Sequence, residues 1–167
     1  EKYAKDTQRV AFLSELENRL QAIPNVERVA IGSSQPAFGF NSSSSFVVEG
    51  QPEPRPDHYP EMFYEPVSNQ YFDTYGVHLL RGRTFNNSDR ADTTKVVMVN
   101  DTMARHYWPN ENPIGKRIGN PGDPKKEWSE VVGVVNDMAF PGDLRERYTQ
   151  YEAFIPLSQS APGYLTI

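Results

Sequence analysis

Three histidines, His58, His78 and His106, are the first residues to weigh for chemistry. No two of them sit four apart, and none is followed by the glutamate of a zinc-protease helix, so their spacing does not assemble a metal site. Ser42 to Ser45 offers hydroxyls without the glycine-flanked elbow that sharpens a hydrolase serine, and the run reads as a solvated loop. The glycines of Gly115-Lys116-Arg117-Ile118-Gly119-Asn120-Pro121-Gly122 miss both phosphate-cradling spacings, and Pro121 prevents a helix from opening there. Lys116 and Arg117 read instead as charges guarding an edge strand. The oxygen-rich loop Asn86-Asn87-Ser88-Asp89-Arg90-Ala91-Asp92 lacks the central glycine and closing glutamate of a calcium hand, so it reads as a capped turn. Asp137 with Asp143, or Glu127 with Glu130, could be drawn as acid and base, but nothing in their surroundings separates the two protonation behaviours. The reading therefore assigns no catalytic, cofactor-binding or metal residue, and no cofactor.

Composition narrows the classes further. The chain has 167 residues, no cysteine and a net charge of -5, with a pI near 5.2 and a mean hydropathy of -0.66. An acidic chain lacks the basic field that a nucleic-acid partner requires. Without cysteine there is no disulfide frame, no thiolate zinc site and no thiol nucleophile. Nine tyrosines and nine phenylalanines argue for an ordered, aromatic core. No apolar run reaches the roughly 18 residues needed to span a bilayer, and no leader is visible. The abrupt start at Glu1, and an end inside the apolar run Tyr164 to Ile167, read as a piece of a longer protein.

Helix-spaced Val10, Leu13, Leu16, Leu20 and Ile23 predict an opening helix, capped by Asp6 or Thr7 and ended by Pro24. Strands are expected at Val26 to Ile31, Phe46 to Glu49, Met62 to Val67, Val77 to Leu80, Lys95 to Val99, Pro113 to Ile118, Trp128 to Val135 and Tyr151 to Leu157. Gly32 to Ser45 reads as an exposed loop, and the four prolines of Gln51 to Pro60 as a stiff connector. Ser68 should cap a short helix that ends at Tyr75 with Gly76 left-handed, and Arg81-Gly82-Arg83 should turn. Asn100 should cap a second helix through Trp108. The near-continuous apolar Val131 to Val135 suggests a central strand covered on both faces. Tyr71, Phe72, Tyr75, Tyr107 and Trp108 fall at core spacing on the two short helices.

The motifs, taken in order, resemble the MacB-like periplasmic core domain of bacterial ABC-transporter permeases of the FtsX/MacB type. Leu20-Gln21-Ala22-Ile23-Pro24-Asn25-Val26-Glu27 is similar to that family's L-x-x-I/L-P-G-V-E, with Asn25 where glycine is usual. Val67-Ser68-Asn69-Gln70-Tyr71-Phe72 and Leu79-Leu80-Arg81-Gly82-Arg83 resemble V-S-x-x-Y-F and L-L-x-G-R. Trp108 to Lys116 resembles W-P-x-E-D-P-I-G-K, with Asn112 in place of aspartate, and Glu130 to Asp137 resembles E-V-V-G-V-V-x-D.

The resemblance implies an α+β fold of mixed sheets with short capped helices. One extracytoplasmic domain, 1–167, would comprise a porter-like βαβ lobe, mainly about 1–60, and a strand-rich sabre-like lobe, mainly about 61–163. Residues 164–167 would begin a truncated porter strand. It also implies a place on the periplasmic face of the inner membrane, anchored by transmembrane helices. The implied partners are those helices, a cytoplasmic ATPase subunit or domain, and a periplasmic adaptor or cargo protein, within a permease dimer. The function expected is transmission of ATP-driven conformational change for export or efflux, with no catalysis in this domain. Two other readings make separate demands. A ligand- or peptide-binding module needs a deep apolar pocket near Phe38, Phe40 and Phe46. A hydrolase needs two titratable groups in hydrogen-bond reach in a cleft. The transmission reading expects the chain termini close together.

Overall fold

A computed structural model describes residues 6–33, 42–123, 127–138 and 151–160. Phe38, Gly39, Phe40, Asp143, the capping role of the Asp6 side chain, the run from Tyr164 and the proximity of the termini lie outside the described residues.

Helix α1 spans Asp6–Gln21. Eight strands follow: β1 (Ser43–Ser45), β2 (Val47–Val48), β3 (Glu61–Val67), β4 (Leu79–Gly82), β5 (Val96–Asn100), β6 (Arg117–Gly119), β7 (Trp128–Val135) and β8 (Glu152–Pro156). Helix α2 (Tyr71–Tyr75) lies between β3 and β4, and α3 (Asp101–Tyr107) follows β5 directly. The strand order is β1-β3-β8-β5-β7-β6-β2, with β4 also on β7. β3 and β8 run parallel, as do β5 and β7, while the remaining pairs are antiparallel.

The two ends of that order are one piece of chain. β1 and β2 are separated only by Phe46, whose N–H donates to the Pro60 carbonyl at 3.0 Å. Glu49 continues the pairing on the other side, donating to the Arg117 carbonyl at 3.0 Å. Residues 43–48 thus bridge β3 and β6, and the sheet closes on itself, which leaves few open edges. One face gathers Phe46, Met62, Val99, Ile118, Val131 and Ile155, and α3 adds Met103, Ala104 and Trp108. The other face carries Val67, Val96, Met98, Val132 and Phe154 under Tyr71 and Phe72 of α2. β7 has an extra residue at Val132, because Val97 pairs with Val131 and Met98 with Gly133. The bulge returns Val134 to the Phe46 face, so β7 is apolar on both faces, as its sequence predicts.

The caps differ in their outcome. Asn100 is the cap of α3, its side-chain oxygen accepting from Met103 N–H at 3.2 Å. Gly76 ends α2 at φ 66°. Ser68, however, does not cap α2; the cap position is Gln70, without a side-chain bond. The Ser68 hydroxyl accepts from Ile31 N–H instead, at 3.1 Å, and tethers a distant segment. That tether also explains the missing strand. Among the described residues Val26 to Ile31 forms no ladder; Ile31 bonds to Ser68, and an isolated bridge joins the next residue, Gly32, to Val67.

Ser43–Ser45 is a strand rather than loop, because pairing with β3 satisfies its backbone. β4 starts two residues later than its apolar pattern suggests and takes in Arg81 and Gly82. β6 is shorter than expected, and β2 lies outside it, so Lys116 and Arg117 do not guard an edge. They pair instead with Glu111 and Glu49. Of the α1 stripe, only Leu13 is buried, on Ile31 and Leu157, and Ile23 is 48% exposed.

Candidate functional site

β8 leaves the barrel at Pro156, and the turn that follows is bolted to the loop joining β4 to β5. The Gln159 side-chain oxygen accepts from Val96 N–H at 2.9 Å. Its amide donates to the carbonyls of Arg90 (3.0 Å) and Thr94 (2.9 Å). The Ser158 hydroxyl donates to the Asp89 carbonyl. Leu157 N–H donates to the Val67 carbonyl at 2.9 Å, which ties the same turn to β3. One short segment is therefore fixed to two strands, β3 and β5, and to the β4–β5 loop through its own backbone and side chains.

The loop is in turn held by an ion pair whose carboxylate is buried and whose guanidinium reaches the surface. Arg83 donates to both Asp89 oxygens at 2.8 Å, and Asn86 N–H donates to the same carboxylate at 2.9 Å. Asp89 is 4% exposed. Burial raises its carboxyl pKa, but the bonds from Arg83 and Asn86 outweigh burial and hold it below the usual 3.8. The same bond, set against desolvation, moves the guanidinium above its ordinary value. Asp92 pairs with Arg90, and Asn86 Oδ1 accepts from Ser88 N–H, so the loop's oxygens are engaged from within.

A second polar knot stands where β5 and β7 end. Asp137 accepts from Asn100 Nδ2 (2.8 Å), Thr102 N–H (3.0 Å) and the Thr102 hydroxyl (2.8 Å). Asn100 Oδ1 also accepts from Glu152 N–H at 3.1 Å, so one buried amide joins β5, α3 and the start of β8. Arg105 bridges Asp101 and Asp137, and Arg81 reaches Asp101 at 3.6 Å.

Between α1 and the bolted turn lies a cleft of about 410 Å³. Leu13, Val67 and Leu157 are its apolar surfaces, and Asn69, Asn87 and Ser158 are among its polar ones. Asn69 Nδ2 donates to Asn87 Oδ1 at 3.2 Å across one wall.

The residues weighed from sequence are not brought together. His58 pairs with its neighbour Asp57 at the surface, His78 accepts an Asn136 N–H through its carbonyl, and His106 packs its ring against Tyr107 and Tyr151. Among the described residues no three His, Asp or Glu side chains converge on a point that could hold a metal. Phe46 is fully buried in the core and is not among the residues lining the cleft beneath α1. Tyr71, Phe72 and Trp108 are core, Tyr107 is half-buried against Tyr151, and Tyr75 is 42% exposed. The role of Gln159 was not legible, since it acts from a turn with no motif around it.

Fold and junctions together define a stiff module of mixed strands that fixes separate chain segments in one frame. The chain belongs to the MacB-like periplasmic core domain family, whose model matches residues 4–166. It is 30% identical over 92 residues to the macrolide export ATP-binding/permease protein MacB of Aggregatibacter actinomycetemcomitans. That match covers 53% of this chain and 14% of that protein. In fold it resembles the periplasmic region of MacB from Actinobacillus actinomycetemcomitans, with a TM-score of 0.58 at 23% identity, over 88% of this chain and 55% of that one. It also resembles the extracellular domain of the noncanonic ABC-type transporter YknZ from Gram-positive bacteria, with a TM-score of 0.53 at 17% identity, over 86% and 61% of the two chains. Among the described residues no helix is long and apolar enough to cross a membrane.

Proposed function

We propose that this domain stands on the extracytoplasmic side of an ABC-transporter permease and carries ATP-driven movement from membrane helices to a partner protein or cargo. The observation that carries the reading is the bolted turn. Gln159, Ser158 and Leu157 join the exit of β8 to β3, β5 and the β4–β5 loop. A pull on the segment beyond residue 160 is then shared by the whole barrel and does not unravel one strand. Hydrolysis is assigned to a separate cytoplasmic ATPase subunit or domain, with the permease acting as a dimer. The division into a porter-like lobe (about 1–60) and a sabre-like lobe (about 61–163) belongs to the same proposal, although β1 and β2 share the sheet of the later strands.

The test uses the full permease with its ATPase in membranes. Gln159→Ala combined with Ser158→Ala should lower export, or the partner's output, several-fold while ATP hydrolysis continues. Output that tracks hydrolysis unchanged would overturn the coupling role.

A further inference from the structure

β4 is exposed along its whole length, although its first two residues are leucines. Leu79 is 40% exposed and Leu80 48%. Side chains alternate across a regular strand, so one of two consecutive leucines should point inward. A bulge prevents this. Leu79 pairs with Val135 and Arg81 with Val134, which makes Leu80 the extra residue and leaves both leucines outside. The exposed Tyr75 ends α2 four residues earlier. Of the five large apolar side chains exposed among the described residues, three therefore fall within residues 75–80, a concentration that marks a contact surface.

The charges beside the leucines set the chemistry of what docks there. Arg81 and Arg105 both reach the Asp101 carboxylate, at 3.6 and 3.2 Å, and Arg105 also reaches Asp137 at 3.8 Å. The charges balance in number but not in depth: the Arg105 side chain is 64% exposed against 20% for Asp101. Arg81 too is more exposed than Asp101, and its contact is longer than a hydrogen bond. Each guanidinium carries five donors, more than a shared carboxylate can engage. Arg83, at the far end of β4, repeats the arrangement over the buried Asp89. A chain of net charge -5 thus turns a positive rim to water beside an apolar pair. We propose that Leu79, Leu80, Arg81 and Arg105 dock a short acidic segment of a partner protein. Its apolar side chains lie against the leucines and its carboxylates against the two guanidinium groups. β4 is too short and too bent to template a sheet, so side chains carry the contact. A second copy docked through the same patch would set arginines against arginines about a two-fold axis, and the net charge of the chain opposes an anionic bilayer. The site makes no use of the bolted turn and would stand if the coupling role failed.

The test titrates the 15N-labelled chain with an end-blocked peptide in which two glutamates flank a pair of leucines on each side. One counterpart peptide carries lysine for glutamate and another serine for leucine. Phosphatidylglycerol vesicles, and sedimentation of the chain alone, probe the other two occupants. The expected result is saturable amide shifts at Leu79, Leu80 and Arg81 with the acidic apolar peptide alone, weakening as salt rises. Arg81→Gln combined with Arg105→Gln should weaken binding about tenfold, as loss of two exposed ion pairs implies. Leu79→Ser combined with Leu80→Ser should abolish it, whereas Ile23→Ser, at an exposed residue elsewhere, should leave it unchanged, each with an otherwise native spectrum. Absence of saturable shifts, equal binding of either counterpart peptide, or full affinity in either double variant would each overturn the assignment. Vesicle binding or dimer formation that the leucine variant loses, without peptide binding, would give the patch to a membrane or to a second copy instead.

Discussion

Gly82 and Gly133 face each other as register partners where β4 runs along the bulged half of β7. Gly82 has φ 77°, and a Cβ on it would lie 2.2 Å from the Val132 carbonyl oxygen. A Cβ on Gly133 would lie 2.4 Å from the Arg83 carbonyl oxygen. Two backbones therefore approach more closely than any side chain permits, and Arg83 N–H donates to the Val132 carbonyl at 2.9 Å across the contact. Gly82→Ala should cost about 3 kcal/mol, combining positive φ with a backbone clash. Gly76→Ala, at φ 66° with open space around it, should cost only about 1 kcal/mol. Denaturant midpoints of the two variants check the difference, and equal costs would mean that the close approach at Gly82 relaxes away.

Asn100 satisfies three groups at once, so it should be the least replaceable polar residue of the core. Asn100→Ala takes the side-chain acceptor from Met103 N–H and the buried Glu152 N–H, and removes one of the two donors to Asp137 Oδ1. The expected loss is about 2–4 kcal/mol, the sum of a helix cap and buried unsatisfied groups. Asn100→Asp keeps the acceptor but sets a carboxylate against Asp137 and should also destabilise. Thermal unfolding measures both, and a loss below about 1 kcal/mol for alanine would show that the cap alone matters.

What could be read from the sequence followed from local chemistry. Asn100 precedes an apolar helix and Gly76 follows one, so both caps were visible, and the apolar run of β7 announced a strand covered on both faces. Asn25, where the family usually has glycine, has φ 67°, a conformation that asparagine tolerates better than other side chains. Long-range choices could not be read. Ser68 has the type and position of a helix cap, yet its hydroxyl serves Ile31, 37 residues away. The serine run 43–45 carries no strand propensity and becomes a strand only because β3 offers it backbone partners. The bolted turn depends on Gln159, whose partners come from a loop some 65 residues earlier. No local pattern encodes such a meeting.

Arg83 and Asp89 should give the domain a distinctive acid response. The folded Asp89 pKa lies below its ordinary 3.8, so its stabilising contribution is fully present above about pH 4. It is lost as pH falls through the lower folded value. Arg83→Gln removes the guanidinium and leaves burial, which raises the carboxyl, opposed only by the Asn86 N–H, so the variant should be penalised at neutral pH by about 1 kcal/mol, a value reduced by the solvent exposure of Arg83. That penalty should shrink as pH falls and Asp89 becomes protonated. Unfolding free energies of both proteins between pH 7 and pH 3 test this, and a penalty independent of pH would assign the loss to packing.

At the alkaline end the half-buried pair Tyr107 and Tyr151 should contribute beside the fully buried Tyr71, whose phenol burial raises further still. Burial, followed by the charge and hydrogen bond of Tyr151, pushes the Tyr107 phenol up to about 12 from an ordinary 10.0. Tyr151 itself moves up for the same first reason, burial. A phenol raised on folding contributes stability that is complete below pH 10 and declines as pH rises toward 12, because the unfolded chain ionises first. Tyr107→Phe keeps the ring contacts with Phe46, His106 and Tyr151 but has no proton to lose. Its stability should therefore fall less steeply between pH 10 and pH 12 than that of the parent. Ultraviolet titration of the phenolates, run beside unfolding curves at each pH, separates ionisation from unfolding. Parallel declines in the two proteins would show that the Tyr107 hydroxyl ionises as freely in the fold as outside it.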